Sequence, residues 1–486
     1  MKINTVYIFF QEYWPHMTLL LGWVVGSIAA VHAAMTKTEV RAAIGWVGVI
    51  MMSPILGPLA YLIAGINRIR YDSISEQRNK SERDYISTEQ EYLLDINELA
   101  GAQFKSLRVL GDRLSRFPLR EGTNIKVLRG GDVAYPAMLE AIHNAVHTIA
   151  LQTYIFDNDE IGRQFTEALS LAMQRGVQVR VLIDAVGSRY SRPPVVKELR
   201  RRGIPCALFM TNPWGMRMPY ANLRSHRKIL VVDGHVGFTG GMNIRAGFVK
   251  EIAGEHTAKD THFRIIGPVV TQLMSVFAQD WQFTTKEKLP FDPWCDETQE
   301  APEPHIPARC IRSGPDKNMA ATHSMLMGAF AIAQRHIRIQ SPYFLPDQVL
   351  MGAINTAARR GISVDIVIPG QNNLRLVNYA MTAQLDQVIK AGCRVWSTSG
   401  NFDHSKLITI DGSWSYIGSS NLDPRSLRLN FELDMEIYSR SIAKELEQII
   451  DKQIAHSTPV TLQSLSNIPF RKRLRNRIIW LASPYL

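Results

Sequence analysis

Only four cysteines occur in 486 residues, Cys206, Cys295, Cys310 and Cys393, and none forms a C-x-x-C pair. Neither a zinc knuckle nor a disulfide framework is readable from them, so buried reduced thiols are the expectation. No G-x-x-x-x-G-K-[ST] stretch is present, which excludes a P-loop nucleotide site. Acidic side chains are missing altogether after Asp451. Charged residues make up 20% of the chain and aromatics 9%, but with 46% hydrophobic residues and ordinary Gly and Pro counts the chain is not disordered, collagen-like or low in complexity. What is there is length enough for two to four units of roughly 100 to 200 residues, and 55 Lys+Arg against 44 Asp+Glu, a net charge of +11. That balance favours polyanionic partners without choosing among nucleic acid, anionic lipid and phosphorylated substrates.

Long uncharged runs are confined to the first 70 residues. Between Glu12 and Lys37 lie 24 residues without a formal charge, and between Arg41 and Arg68 lie 26. Each is long enough to cross a bilayer as a helix, which takes about 20 residues. The connector Thr36 to Arg41 allows only a tight hairpin, so both ends face one side. That side carries Lys2, Arg68, Arg70, Arg78, Lys80 and Arg83, against Lys37 and Arg41 in the connector, and the positive-inside rule puts the remainder of the chain in the cytoplasm. Glu12, Trp14 and Pro15 ahead of the apolar run argue against a cleaved signal peptide. Gly22 and Gly26 form a G-x-x-x-G, weak by itself as a sign of close packing. Downstream, Asn318 to Gln334 is uncharged but contains Asn318, His323, Ser324 and Gln334, which suits a helix of a soluble domain.

The chain repeats itself. His226-Arg227-Lys228-Ile229-Leu230-Val231-Val232-Asp233 has a counterpart in His404-Ser405-Lys406-Leu407-Ile408-Thr409-Ile410-Asp411, and in both copies an Asn follows the Asp by ten residues, Asn243 and Asn421. Upstream, Gln174 to Val179 parallels Arg359 to Val364, and Gln152-Thr153-Tyr154-Ile155-Phe156 echoes Gln340-Ser341-Pro342-Tyr343-Phe344. Each copy reads as strands alternating with helices: Thr148 to Phe156 strand, Ile161 to Arg175 helix, Val177 to Ile183 strand, Val195 to Arg202 helix, Pro205 to Phe209 strand, and the same again from Ile337 to Ser397. The expected fold class is α/β, two halves with mostly parallel sheets packed as a pseudo-twofold pair with a site at their seam. The expected boundaries are a transmembrane hairpin at 1–70, a polar linker at 71–115, the two halves at 116–295 and 296–460, and a basic tail at 461–486.

The repeated motif carries chemistry. On a strand, residues i and i+2 share a face, so His226 points with Lys228 and His404 with Lys406. Two imidazoles and two ammonium groups brought together suit a phosphodiester: one imidazole attacks phosphorus, the other protonates the departing alcohol, and the lysines with Asn243 and Asn421 hold the nonbridging oxygens. No metal or other cofactor is expected. A nucleophilic histidine needs an orienting carboxylate at its other nitrogen, and Asp260 and Glu432 are the candidates. Asp233 and Asp411 join the candidate catalytic set as motif members, although at strand ends turn capping is as good a reading. His262, just after Asp260, is a candidate for the pocket wall. His143 and His147, four apart on a helix, lack a third ligand. A single H-x-K-x-x-x-x-D arises by chance; two copies with one Asn spacing in a longer duplicated frame do not.

These residues resemble the phospholipase D superfamily, whose signature is a duplicated H-x-K-x(4)-D followed by G-G/S-x-N. More narrowly, the N-terminal spans, Ile339 to Pro346, and Asn421-Leu422-Asp423-Pro424-Arg425-Ser426 leading to Asn430-Phe431-Glu432 resemble the bacterial cardiolipin synthase family over almost the whole chain. The resemblance implies that two phosphatidylglycerol molecules yield cardiolipin and glycerol through a phosphatidyl-histidine, with His226 as nucleophile and His404 as general acid, then base. It also implies an inner-membrane location in a bacterium. One departure is Ala258, where relatives commonly place Trp two residues before the acid corresponding to Asp260. A membrane phospholipase D, a phosphatidyltransferase with another alcohol or water as acceptor, a nuclease and a silent scaffold are the alternatives. The anchor argues for anionic membrane lipid, not nucleic acid, as partner.

The tail repeats that preference. Arg471, Lys472, Arg473, Arg475 and Arg477 are interleaved with Phe470, Leu474 and Ile478, and with Leu481 these apolar residues recur at helical spacing. An interfacial amphipathic helix is expected.

Overall fold

Residues 2–37, 39–66, 96–211, 223–296 and 302–483 are described by the structure, a computed structural model. They fall into two compact units, Met1–Arg70 and Tyr71–Leu486. The flanking charges Arg68, Arg70, Arg78, Lys80 and Arg83, and residues 71–95 of the expected linker, lie outside the described residues.

In the first unit one helix runs over Lys2–Thr36, and its segment His16–Thr36, of mean hydropathy 1.7, is long and apolar enough to cross a bilayer. The second uncharged run is not one helix. It breaks into Val40–Met52, Leu56–Ala60 and a π-helical turn, Tyr61–Gly65. Pro54 accounts for the break: it has no N–H to donate and crowds the residue before it, and Ser53 accordingly leaves the helical region at φ −140, ψ 82. Gly22 and Gly26 allow a close approach at this break, since a Cβ on Gly22 would stand 2.9 Å from Ile55 and one on Gly26 3.7 Å from Ile50 and Pro54.

The second unit is built on one sheet. Its first half supplies β1 (Arg120–Arg129), β2 (Thr148–Thr153), β3 (Gln178–Asp184), β4 (Cys206–Phe209), β5 (Arg224–Ser225), β6 (Ile229–Val232), β7 (Val236–Gly240) and β8 (Thr261–Ile266). The second supplies β9 (Ile306–Ser313), β10 (His336–Gln340), β11 (Ser363–Pro369), β12 (Arg394–Thr398), β13 (Leu407–Ile410), β14 (Trp414–Gly418), β15 (Asn430–Tyr438) and β16 (Ser457–Val460). The strand order is β16-β12-β11-β10-β13-β14-β15-β9-β1-β8-β7-β6-β2-β3-β4. Read outward from the β9–β1 junction it is the same in both directions until β16, so the duplication in sequence becomes a pseudo-twofold in space.

Among the described strands, parallel pairs are β2-β3-β4 and β10-β11-β12, plus the short β5–β15 pair. The inner strands are antiparallel, which corrects the expected mostly parallel sheet. The reason is local: β6–β7 and β13–β14 are joined by tight hairpins, not by the helical crossover that a parallel pair requires. Asp233 (φ 51) with Gly234 (φ 67), and Asp411 (φ 53) with Gly412 (φ 64), take left-handed conformations in these turns, the arrangement an Asp-Gly hairpin favours.

Each half buries its own core. In the first, Ile149, Leu151, Val179, Val181 and Leu230 pack against Phe165, Leu169 and Leu199 of the flanking helices. In the second, Ile337, Ile339, Val364 and Ile366 pack against Leu326, Phe330, Leu350 and Leu385. Helix Phe104–Leu114 joins this second core through Phe104 and Leu107, so the end of the expected linker belongs to the folded body.

Candidate active site

The two H-x-K segments meet at the seam, each stitched to the other half. The His226 N–H donates to Phe431 O at 2.9 Å, and β5 runs parallel to the start of β15. In mirror fashion the His404 N–H donates to Lys259 O at 2.7 Å and the Lys259 N–H to Phe402 O at 2.9 Å. The segment of each half that carries a carboxylate, Lys259-Asp260 ahead of β8 and the start of β15, therefore lies beside the histidine of the opposite half. His226 Nδ1 stands 2.9 Å from Glu432 Oε2 and His404 Nδ1 2.8 Å from Asp260 Oδ2. The two imidazole centroids are 6.5 Å apart.

The carboxylates fix the tautomers. Glu432 accepts from Ser419 Oγ at 2.6 Å and Asn430 Nδ2 at 3.0 Å, and His226 Nδ1 also faces the Ser419 carbonyl at 3.1 Å. Nδ1 is surrounded by acceptors and must carry the proton, which leaves the lone pair on Nε2. In the other half Asp260 accepts from His404 and from the Thr261 N–H at 2.7 Å. Gly241 makes that position possible, because a Cβ there would stand 2.4 Å from Asp260 Oδ1; at the equivalent place the second copy has Ser419, which binds Glu432.

Lys228 Nζ and Lys406 Nζ each donate to the carbonyl of their own histidine at 2.6 Å. They differ otherwise: Lys406 Nζ is 3.1 Å from both ring nitrogens of His404, whereas Lys228 Nζ lies over the Tyr154 ring, 5.8 Å from its centroid. Burial draws Lys228 down to about 7 and Lys406 to about 8, with Glu432 and Asp260 opposing. Burial and then Lys228 and Lys406 hold His226 well below the ordinary imidazole range, and burial with Lys406 takes His404 to about 4 against the pull of Asp260. Burial raises Glu432, with Lys228 the main opposing charge. It works the same way on Asp260, but there the His404 hydrogen bond and the His404 and Lys406 charges outweigh it and hold the carboxyl low.

His226 and His404 open into a cleft of about 690 Å³ lined from both halves. Asn243 and Asn421 line it too. Asn243 Oδ1 accepts the Ile155 N–H at 3.0 Å, and Asn421 Nδ2 reaches Ser426 Oγ at 3.3 Å while its Oδ1 is buried without a protein partner. Ala258 is part of the wall, so its small side chain bears on the shape of the cleft.

Asp233 and Asp411 are not in the cleft, which corrects their place in the catalytic set. Asp233 accepts the N–H groups of Val146, His147 and Thr148 at 2.9, 2.7 and 2.8 Å, and Asp411 those of Gln334, Arg335 and His336 at 2.9, 2.8 and 3.0 Å. Each lies seven positions beyond its histidine along a mostly extended segment, roughly 20 Å away. His262 is buried beneath Gly240 and does not line the cleft. His143 and His147 are exposed. Among the described residues no group of three or more His, Cys, Asp or Glu is placed to hold a metal.

Sequence reasoning missed several residues. Arg227, inside the first motif, is buried and pairs with Asp280 at 2.7 Å while its Nε donates to Glu432 O at 3.0 Å. Tyr154 and Tyr343 stand edge-on to His226 and His404, with centroids 5.3 and 6.1 Å away; their equivalent places in the repeated Gln-Thr-Tyr and Gln-Ser-Pro-Tyr segments were the available signal. The cleft is also chemically lopsided. Two residues before each histidine stand Arg224 and Phe402, and two after each Asn stand Arg245 and Asp423, all four lining it.

Comparison with known proteins supplies the context. The family described as cardiolipin synthase, PLD-like domain, matches residues 138–281 and 326–454, and a phospholipase D-nuclease N-terminal segment matches residues 24–65. Cardiolipin synthase A of Pseudomonas fluorescens (strain SBW25) is 30% identical over 467 residues, 95% of this chain and 96% of that protein. A cardiolipin synthase of Geobacillus thermodenitrificans (strain NG80-2) is 30% identical over 485 residues, 98% of this chain and 96% of that protein. Among solved structures, phosphatidylserine synthase of Haemophilus influenzae Rd KW20 superimposes with a TM-score of 0.60 at 16% identity, covering 79% of this chain and all of that one, a likeness of fold.

Proposed function

The chain belongs to the cardiolipin synthase family of phospholipase D-like phosphatidyltransferases, which act on phospholipids, and on that premise we propose that it joins two phosphatidylglycerol molecules into cardiolipin and glycerol at the His226–His404 seam. The observation that carries the proposal is the pair of histidines with centroids 6.5 Å apart, each oriented by a buried carboxylate from the other half and flanked by a lysine.

His226 is the nucleophile. In its favour, Glu432 and the Ser419 carbonyl both hold its Nδ1 proton and leave the lone pair on Nε2, whereas Lys406 Nζ, 3.1 Å from both ring nitrogens of His404, sets a cation against that ring and favours its giving up a proton. His226 Nε2 attacks the phosphorus of the first lipid. The N–P bond forms, the bond from phosphorus to the headgroup oxygen breaks, and a proton from His404 passes to the departing glycerol. Burial and Lys406 hold His404 low, and the phosphodiester anion raises its proton affinity. In the second half-reaction His404 takes the proton of a headgroup hydroxyl of the second lipid, that oxygen attacks phosphorus, and the N–P bond breaks. Lys228, Lys406, Asn243 and Asn421 hold the nonbridging oxygens as charge builds, and Asp260 and Glu432 act through the histidines. Arg224, Arg245 and Arg425 along the wall suit an acceptor that brings a second phosphate with it.

The phosphatidyl-enzyme sits at a bilayer surface where the second lipid hydroxyl is concentrated, which favours transfer over hydrolysis. The chain spans the inner membrane by both uncharged runs, with the catalytic unit on the cytoplasmic side, in keeping with the basic residues that follow the second run. Purified protein incubated with phosphatidylglycerol vesicles should release glycerol in step with cardiolipin. Phosphatidic acid as the sole product would refute the acceptor, and an active His226→Ala protein would refute the nucleophile.

A further inference from the structure

Helix Phe470–Leu481 is turned inside out. It packs on helix Arg375–Lys390 through polar groups: Asn476 is buried, Trp480 Nε1 donates to Gln384 Oε1 at 3.1 Å, Arg475 lies 3.6 Å above the Tyr379 ring and Arg477 reaches Asp386 at 3.4 Å. A helix lying on a water-facing surface normally directs its apolar stripe at the protein. Here, at about 100° per residue, Leu474 and Ile478 lie roughly 160° to either side of Asn476, and Phe470, Leu474, Ile478 and Leu481 are 69, 48, 58 and 73% exposed. Arg471, Lys472 and Arg473 are exposed on the same helix, and no acidic residue follows Asp451. The supporting helix leads to the active site, because Leu374 just before it and Val377 within it line the cleft, and Leu374 and Leu376 are themselves 47 and 54% exposed.

We infer that this helix is a docking surface for an anionic lipid bilayer, its apolar stripe entering the interface and its basic residues meeting headgroup phosphates. Charge and apolarity together select the occupant. A nucleic acid would satisfy the cations but leave four large apolar side chains in water. A bilayer surface satisfies both and puts the rim residues Leu374 and Leu376 within reach of the phase that holds the substrate. The docking extends the proposed reaction to the delivery of its lipids, but it is read out separately from turnover.

The test uses the full chain in nanodiscs of phosphatidylcholine with or without phosphatidylglycerol, carrying Ile478→Cys in a Cys206→Ser background labelled with bimane. The expected result is quenching by acyl-chain nitroxide lipid and protection from aqueous iodide when phosphatidylglycerol is present. Iodide access that ignores lipid composition, with no nitroxide quenching, overturns the inference, as does protection in detergent caused by a second copy of the chain. In a second measurement, Leu474→Asp with Ile478→Asp should lower kcat/KM on vesicle phosphatidylglycerol roughly ten-fold and leave turnover of dispersed short-chain phosphatidylglycerol unchanged. Full activity of that double variant on vesicles also overturns it. Docking without any cardiolipin formed by the parent protein would refute the proposed reaction and leave the docking in place.

Discussion

Replacing Glu432 by Gln tests whether a carboxylate from one half governs the nucleophile of the other. The side chain keeps its shape, and its neighbours Ser419, Asn430 and His226 Nδ1 are all donors, so the amide oxygen stays toward the imidazole while the amide nitrogen turns to the adjustable Asn430. What disappears is the charge. Once His226 Nε2 has taken phosphorus its ring is cationic, and a carboxylate about 4 Å away stabilises it by about 4 kcal/mol at an effective dielectric of about 20. The neutral hydrogen bond that remains is worth about 1 kcal/mol, leaving a loss of about 3 kcal/mol, or roughly 10²-fold in kcat. Glu432 lies behind His226 and is fully buried, so KM for phosphatidylglycerol should hardly move. The assay is cardiolipin and glycerol release from vesicles, with thermal melting to confirm folding. A lipid carrying an acidic phenol as leaving group separates the two carboxylates in the first half-reaction, read as the first-turnover release of phenol: that step then needs no general acid, so the phenol burst should be rescued in Asp260→Asn but not in Glu432→Gln. A Glu432→Gln enzyme within a few-fold of the parent kcat, or the opposite rescue pattern, would refute the assignment.

Asp411→Ala removes the acceptor for three backbone N–H groups at the far end of the motif strand; it should cost on the order of 2 to 4 kcal/mol of stability and lower the melting temperature, with the specific activity of the folded fraction nearly intact. Gly241→Ala, by contrast, pushes against Asp260 at 2.4 Å and should cut kcat at least about ten-fold through a displaced His404, with KM and melting temperature little changed. Burial lowers His404 from 6.5 to about 4, so between those values the unfolded chain binds the proton and the folded one does not. Stability of the empty enzyme should therefore fall as pH drops from about 6.5 toward 4, and melting curves of His404→Ala should show a shallower fall. Lys406 titrates near 8, so competitive inhibition by inorganic phosphate should weaken as pH rises through that value, and a flat profile would count against the lysine as an anion holder.

Legibility in the sequence followed the range of the interactions. Strands β2, β3 and β4 and their helices stood within a few residues of the expected bounds, because two-residue and 3.6-residue periodicities are written locally. The antiparallel inner strands were missed although the Asp-Gly pairs at 233–234 and 411–412 announced hairpins. Turn capping was an open reading of each aspartate, but without the glycine that follows it the turn does not declare itself a hairpin. The broken second apolar helix was likewise carried by Pro54, a residue that composition averages away.

The sequence by itself determined the reactive groups. A duplicated His, Lys and Asn at one spacing names a two-histidine phosphodiester chemistry, and alternation along a strand aims each lysine with its histidine, whatever the partner half does. Only the tertiary structure decided which carboxylate serves which histidine. Asp260 follows His226 in the chain but binds His404, and Glu432 follows His404 but binds His226. That exchange depends on β5 pairing with β15 and on Lys259 pairing with Phe402 and His404 across the seam. Such contacts join residues 144 and 206 positions apart, a separation at which no local pattern carries information, and they exist only because two halves of the same fold pack around one axis.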